Sequence, residues 1–426
     1  MTRYLGSRSK LGRERLRGLT AFAILAAAAI LTSACGGSSS SNASSNQVIV
    51  IGDVEPLSGA YARDGQLSEL GAQMAVDEIN KAGGISALNG AKLKLVATDA
   101  GTSPELAGSA ADRLIAQNPT MAGMLGSWLS SYTLVVAAEA EKAHIPLLTL
   151  SYADSVTGQG GHYIFQTSPT SSEVAAATLS VLLDTAQAST GKRPTTVGAV
   201  SDNTAGPAAF MKALRGGGFA AAGLKVVMDY TFTPPLSDAT SIVQQIKTSK
   251  PDFIFTDMAS LPDNVLVLQK LKEFGLSVPF TAQSAALGLP SIKQSVDPTV
   301  LEGLISIVGN WPGKPQANLI EAFDKRTGEP WMTQDSQLGY ANVWILKDAM
   351  ESAKSSDPVK IANTLHSIVI TSGPGSTALS TTPVQFDAAG RLVNPTIPAF
   401  QWQNGVPVVV FPSNLAVAKP FWPTSG

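Results

Sequence analysis

The sequence predicts an α/β protein of two lobes, each built on a parallel sheet with helices on both faces. Three observations carry this expectation. From Gln47 onward, short β-branched runs alternate with helix-length segments, the rhythm that βαβ crossovers produce. That rhythm pauses at HYIFQTSPTSS (162–172) and then restarts, giving two similar halves without a short-period repeat. At 426 residues, the chain is long enough to bury two separate cores.

The elements follow in order. VIVIGDV (48–54) reads as a strand, and 65–82 as a helix with Leu67, Leu70, Met74, Ala75 and Ile79 on one face. Gly83-Gly84 stops it, because glycine accepts the left-handed conformation at a helix end. Strand 92–98, helix 103–117, strand 121–125, helix 134–143 and strand 145–150 complete the first half. The second half runs strand 195–200, helix 207–215, strand 225–230, helix 238–247, strand 253–256 and helix 262–274. Another strand at 304–308 precedes helices near 317–325, 337–352 and 358–365. From Val384 the pattern alternates in the β manner, and Asn404-Gly405 within FQWQNGVPVVVF marks a hairpin turn.

The first 34 residues read as an export signal. Five arginines and Lys10 against Glu14 make a basic leader, and Leu19–Leu31 is an apolar stretch too short to span a bilayer comfortably. Cys35, the only cysteine, follows Leu31-Thr32-Ser33-Ala34 and precedes GGSSSSNASSN. This resembles the lipobox of bacterial lipoproteins, with Thr32 where leucine is usual, and the resemblance implies an acylated Cys35 as the mature N-terminus. Several acyl chains anchor firmly where one alone is marginal. Residues 36–46 then form a flexible polar tether. A single cysteine excludes an intrachain disulfide.

Charge and motifs exclude several function classes. The leader carries +5 of a total of −2, leaving a body of −7 without a Lys/Arg cluster, so nucleic acid is not an expected partner. The three histidines, His144, His162 and His366, lack a second ligand at metal-binding spacing, and no metal or cofactor is expected. There is no GxSxG elbow and no complete phosphate loop, and Gly216-Gly217-Gly218 follows a helix and reads as a loop. No nucleophile–base pair is visible, so an enzyme is not expected.

Binding asks for less: a cleft, a few oriented donors, and lobes that close. Open parallel sheets place ligands beyond the carboxyl ends of their strands. The segments in that position are EPLSGAYARDG (55–65), GSWLSSYT (126–133) and Ser151-Tyr152-Ala153-Asp154. EPLSGAYARDGQ followed by GAQMAVDEINKAGGI resembles the leucine/isoleucine/valine-binding family of type I solute-binding proteins. The similarity continues through Ser130-Ser131, Ile145-Pro146, 163–167, Pro251-Asp252, Glu302-Gly303 and 339–341, covering essentially 47–412. It implies two Rossmann-like lobes joined by three crossovers. On that basis, 47–168 with 308–393 would form lobe I, 169–307 with 394–413 lobe II, and 414–426 a tail. It also implies a small-molecule solute handed to the permease and ATPase subunits of an ABC importer, with no catalysis. The chain would lie outside the cytoplasmic membrane or in the periplasm, held by its lipid anchor. A surface-tethered sensor signalling through a membrane partner is the alternative use of the same cleft.

The resemblance assigns the ligand-binding residues Ser130, Ser131, Ser151, Tyr152, Ala153, Asp64, Gln283 and Ser284. Ser130 matches the serine that binds the ligand carboxylate, where the following helix start adds about 0.3–1 kcal/mol for an anion. Its alternative role is a helix N-cap. Other positions depart from the family pattern. Ala153 stands for a threonine, Ser284 for the acid that faces an ammonium, Ala205 for a frequent tyrosine, and Asp64 for a covering aromatic. A buried ammonium without a charged partner costs several kcal/mol, so these losses argue against ordinary α-amino-acid recognition. Amides, carboxylates, aromatic acids and other amino-acid-like solutes stay open. Asp64, Asp154 and Asp257 are either replacement counter-charges or solvated loop residues. Tyr152 and Trp128 either stack on the ligand or belong to the core.

Overall fold

A computed structural model describes residues 47–423, so the expected signal peptide, acylated Cys35 and tether lie outside the described residues. Strand β1 (Val48–Glu55) leads into α1 (Ala62–Lys81), then β2 (Lys92–Asp99), α2 (Pro104–Gln117), β3 (Gly123–Gly126), α3 (Ser130–Ala143), β4 (Leu147–Thr149) and β5 (Ile164–Gln166). These strands form one parallel sheet in the order β2-β1-β3-β4-β5. The chain continues through α4 (Ser171–Thr190), β6 (Thr196–Asp202), α5 (Ala205–Ala213), β7 (Lys225–Phe232) and α6 (Thr240–Ser249). It then adds β8 (Phe253–Asp257), α7 (Leu261–Glu273), β9 (Phe280–Ala282) and β10 (Ile305–Ile307). Helices α8 (Ala317–Thr327), α9 (Gln334–Ala353), α10 (Pro358–Leu365) and α11 (Pro374–Leu379) return to the first lobe before β11 (Ala399–Gln403) and β12 (Val406–Phe411). The second sheet has the order β12-β11-β10-β9-β8-β6-β7. It is parallel except at its β10-β11-β12 edge, where the Asn404-Gly405 hairpin folds as expected, with both residues at positive φ.

Both faces of each sheet are covered, which is why the strands read as apolar runs. On β1, Ile49 and Ile51 face a core shared with Leu67 and Met74 of α1 and Leu338 and Leu346 of α9. Val54 faces the opposite core, with Leu114 of α2 and Val136 of α3. Burying each such side chain contributes about 1.5–3 kcal/mol. The α1/α9 pair is unusually close: a methyl group at Gly71 would lie 1.8 Å from the Ser336 carbonyl oxygen, and one at Gly339 2.2 Å from that of Ser68. Two glycines therefore let the backbones touch and fix the start of α9 beside the middle of α1.

Several expectations need correction. The pause at 162–172 contains β5, and β9 is a further strand outside the expected set; both are three residues long and lack the flanking apolar residues that make the equally short β4 and β10 visible. Helix α4 falls largely between the pause at 162–172 and the strand expected at 195–200, where no element is expected. Yet Thr170 caps it in a reciprocal box with Glu173, whose carboxylate accepts the Thr170 N–H at 2.7 Å. The short α11 was likewise missed. Helix α3 starts at Ser130 rather than near Leu134, and α9 at Gln334 rather than Gln337. Gly216-Gly217-Gly218 is not a free loop but lies in a widened helical turn, broken only at Gly217 with φ 138°.

Candidate functional site

The carboxyl ends of both sheets face one another, and between them lies a cavity with about 50 Å³ open to the centre of a water-sized sphere. Its walls come from both lobes. The first lobe contributes Asp64, Trp128, Ser130, Tyr152, Gln334 and Asp335, and the second Gly206, Asp257, Gln283 and Ser284. A larger recess of about 290 Å³ near Leu276 and Phe280 is lined by second-lobe elements and the C-terminal tail, and draws no wall from the first lobe. The lobes touch across the cleft, since a methyl group at Gly206 would stand 3.3 Å from the Ser130 hydroxyl oxygen.

The GSWLSSYT segment divides between scaffold and site. Gly126, at φ 97°, turns the chain where any side chain would strike the Val54 carbonyl. Ser127 donates to that carbonyl at 2.6 Å, and the Ser127 carbonyl in turn accepts from Thr133, from Thr149 at 3.1 Å and from Ser151 at 2.8 Å. These hydroxyls lock the loop. Ser130 is free of that task. It is not an N-cap, because Leu129 occupies that position without a side-chain bond. Instead, Ser130 Oγ accepts the backbone N–H groups of Tyr152 at 3.2 Å and Ala153 at 3.1 Å. Among the described residues, no acceptor takes its own proton, so Ser130 is available as a donor toward the cavity.

The structure thus brings Ser130, Tyr152, Asp64, Gln283 and Ser284 together. Ser131 is half-buried on α3 and does not line the cavity. Ser151 is fully buried and spends its hydroxyl on the carbonyls of Ser127 and Trp128. The Ala153 side chain packs in the core beside Val156 and Ile164, and only its N–H reaches Ser130. Asp154 is not in the wall either; its carboxylate accepts from the Ser172 N–H. Ser284 donates to the Met258 carbonyl at 2.9 Å, leaving little capacity to replace an acid. Gln334 and Asp335 lie ahead of the helix expected at 337–352, in the first turn that α9 adds before it. The signal was Thr333, which caps the helix ahead of an acidic first turn.

Aromatic and acidic groups define the chemistry. Trp128 meets Tyr61 edge to face, with ring centroids 5.6 Å apart. The Tyr152 hydroxyl binds Gln334 and accepts the Gly309 N–H at 2.6 Å, and burial raises its pKa. Burial pushes Asp335 up to about 7. Asp64 is driven well above the carboxylate range by burial and then by the Asp335 charge. Asp257 is raised well above it by burial and then by Asp202, with Arg215 opposing. No histidine is among the residues that line the cavity.

A sequence profile of the family described as periplasmic binding protein matches residues 48–406. The chain belongs to that family. Among its relatives, "Leu/Ile/Val-binding protein homolog 8" of Brucella melitensis is 26% identical over 384 residues, covering 87% of this chain and 92% of that one. The branched-chain amino acid transporter substrate binding protein LivJ of Streptococcus pneumoniae, solved with isoleucine, superposes with a TM-score of 0.71. It is 23% identical and covers 85% of this chain and 100% of its own. A solute binding protein of an ABC transporter from R. palustris, solved with benzoate, gives 0.71 at 16% identity, covering 85% and 95%. The two-lobed α/β architecture is therefore that of the leucine-binding type, while the two solved relatives hold chemically different ligands.

Proposed function

We propose that this protein is the extracytoplasmic solute-binding subunit of an ABC importer of the branched-chain amino acid type, tethered to the membrane through acylated Cys35. It holds a small amino-acid-like, amide or carboxylate solute between two lobes that close over it. The cavity walled by both lobes at the strand ends carries this reading, because a ligand there contacts both lobes only when they are closed. Ser130, Tyr152, Asp64, Gln283 and Ser284 are the side chains assigned to the solute, and the Ser130 hydroxyl suits a carbonyl or carboxylate oxygen. Membership of a family of binding proteins and the transporter relatives support this reading. It is tested by thermal-shift titration of the full chain with amino acids, amides and organic acids, alongside uptake assays in a deletion strain. A saturable shift matched by loss of uptake of the same compound is expected. Turnover of a bound compound, or unchanged uptake, overturns the reading.

A further inference from the structure

Among the cavity wall residues are three aspartates and no lysine, arginine or histidine. Asp257 and Asp335 are each 1% exposed and Asp64 is 2% exposed. Among the described residues, Asp257 Oδ2 and Asp335 Oδ1 have no hydrogen-bond partner. The guanidinium groups whose charge acts on Asp64 and Asp257 are engaged elsewhere, Arg63 with Glu329 and Arg215 with Asp229. Asp64 and Asp335 sit in the first turns of α1 and α9, where helix dipoles offset part of their charge. Asp257 ends β8 and has no such compensation.

Buried carboxylate oxygens without partners on both sides of one cavity call for donors that the protein does not supply. We propose that the site selects solutes of net positive charge, with a cationic nitrogen facing Asp257 and Asp335 and a hydrogen-bond acceptor facing Ser130. This rests on the solute-binding reading and specifies the class of solute. Burial favours the protonated carboxyls in the empty site, and a cation lets one of them ionise beside it and leaves the closed site neutral, whereas a zwitterion also brings a carboxylate beside the remaining aspartates, and an anion brings only that. The chain departs from the family at Ser284, just past the end of β9, but Asp257 ends the adjacent strand β8 and supplies the acid one strand over. Because Asp335 belongs to the first lobe and Asp257 to the second, a cation between them also draws the lobes together.

The test is calorimetric titration of the full chain with two charge ladders of matched shape. These are alaninamide, alanine, propionamide and propionate, and the corresponding leucinamide, leucine, 4-methylpentanamide and 4-methylpentanoate. In whichever skeleton fits, the cationic amide is expected to bind at least tenfold more tightly than the zwitterion and the neutral amide, with the anion weakest. Asp257→Asn and Asp335→Asn are each expected to reduce the preference for cation over neutral amide at least tenfold. The wild-type ladder stands whether or not either variant folds. Tighter binding of the zwitterion, neutral amide or anion overturns the charge assignment and leaves the solute-binding reading intact. No binding by any of the eight compounds overturns both.

Discussion

The Gly309 N–H donates to the Tyr152 hydroxyl at 2.6 Å, joining the end of β4 in the first lobe to the segment that leaves β10 in the second. The same tyrosine uses its carbonyl to accept the Ser171 N–H at 2.6 Å, where α4 begins the first crossing between lobes. Tyr152 therefore links two of the connections between the lobes. Its hydroxyl is also bound to Gln334, beside Asp335 in the cavity wall.

Tyr152→Phe removes this junction while keeping the ring. Gly309 retains a weaker acceptor, Gln334 Oε1 at 3.2 Å. Loss of a net hydrogen bond costs about 0.5–1.5 kcal/mol. The expected outcome is a stability loss of that size in denaturant titration, together with a shift toward the open form in small-angle scattering. Unchanged scattering would confine Tyr152 to packing.

Asp335 sets a pH dependence. Its folded pKa of about 7 lies above the unfolded carboxylate value, so the folded state binds more protons between about pH 4 and 7. The associated stability is fully present below that window and is lost as pH rises through 7. Asp335→Asn is thus expected to be more stable than the wild type at pH 8, with the gap closing toward pH 4, in ligand-free melting curves. A constant gap across pH would show that Asp335 does not titrate there. Asp53, also raised to about 7 by burial and then by Glu69, adds a contribution of the same sign.

Gly71→Ala separates packing from propensity. Alanine is the better helix former by roughly 0.5–1 kcal/mol. Here, its methyl group would meet the Ser336 carbonyl, so overpacking at about 1–3 kcal/mol should win. A net loss of stability is expected, and solute affinity should fall as well, because displacing the start of α9 moves Asp335. A stabilised variant with unchanged affinity would show that the two helices part freely.

Much of this architecture was legible in the sequence, for identifiable reasons. Strands such as β1 and β6 carry apolar runs long enough to register, and the hairpin announces itself through Asn404-Gly405. The short β5 and β9 did not, because, unlike the equally short β4 and β10, they are not embedded in longer apolar runs: Gln166-Thr167-Ser168 closes β5, and Pro279 and Gln283-Ser284 bracket β9. At the site, Ser130 and Tyr152 were readable from their strand-end segments. Asp335 was not, since it meets Asp64 only through the contact of Gly71 with Ser336 and Gly339 with Ser68. Ser151 misled for the opposite reason: a hydroxyl at a strand end looks available until the carbonyls of Ser127 and Trp128 are placed over it.

That contrast yields a paired prediction. Ser130→Ala deprives the Tyr152 and Ala153 N–H groups of their acceptor and removes the one cavity-facing hydroxyl of its segment. Ser151→Ala removes a donor from the Ser127 carbonyl, which keeps Thr133 and Thr149, and from the Trp128 carbonyl. Both lose stability by about 1 kcal/mol, within the usual range for one hydrogen bond. Only Ser130→Ala should weaken solute binding, by at least fivefold in calorimetry with the tightest member of the charge ladders. Ser151→Ala should remain within twofold of the wild type, because the Ser127 loop keeps its other two clasps. Equal losses of affinity in both variants would mean that Ser130 acts by holding the loop rather than by touching the solute.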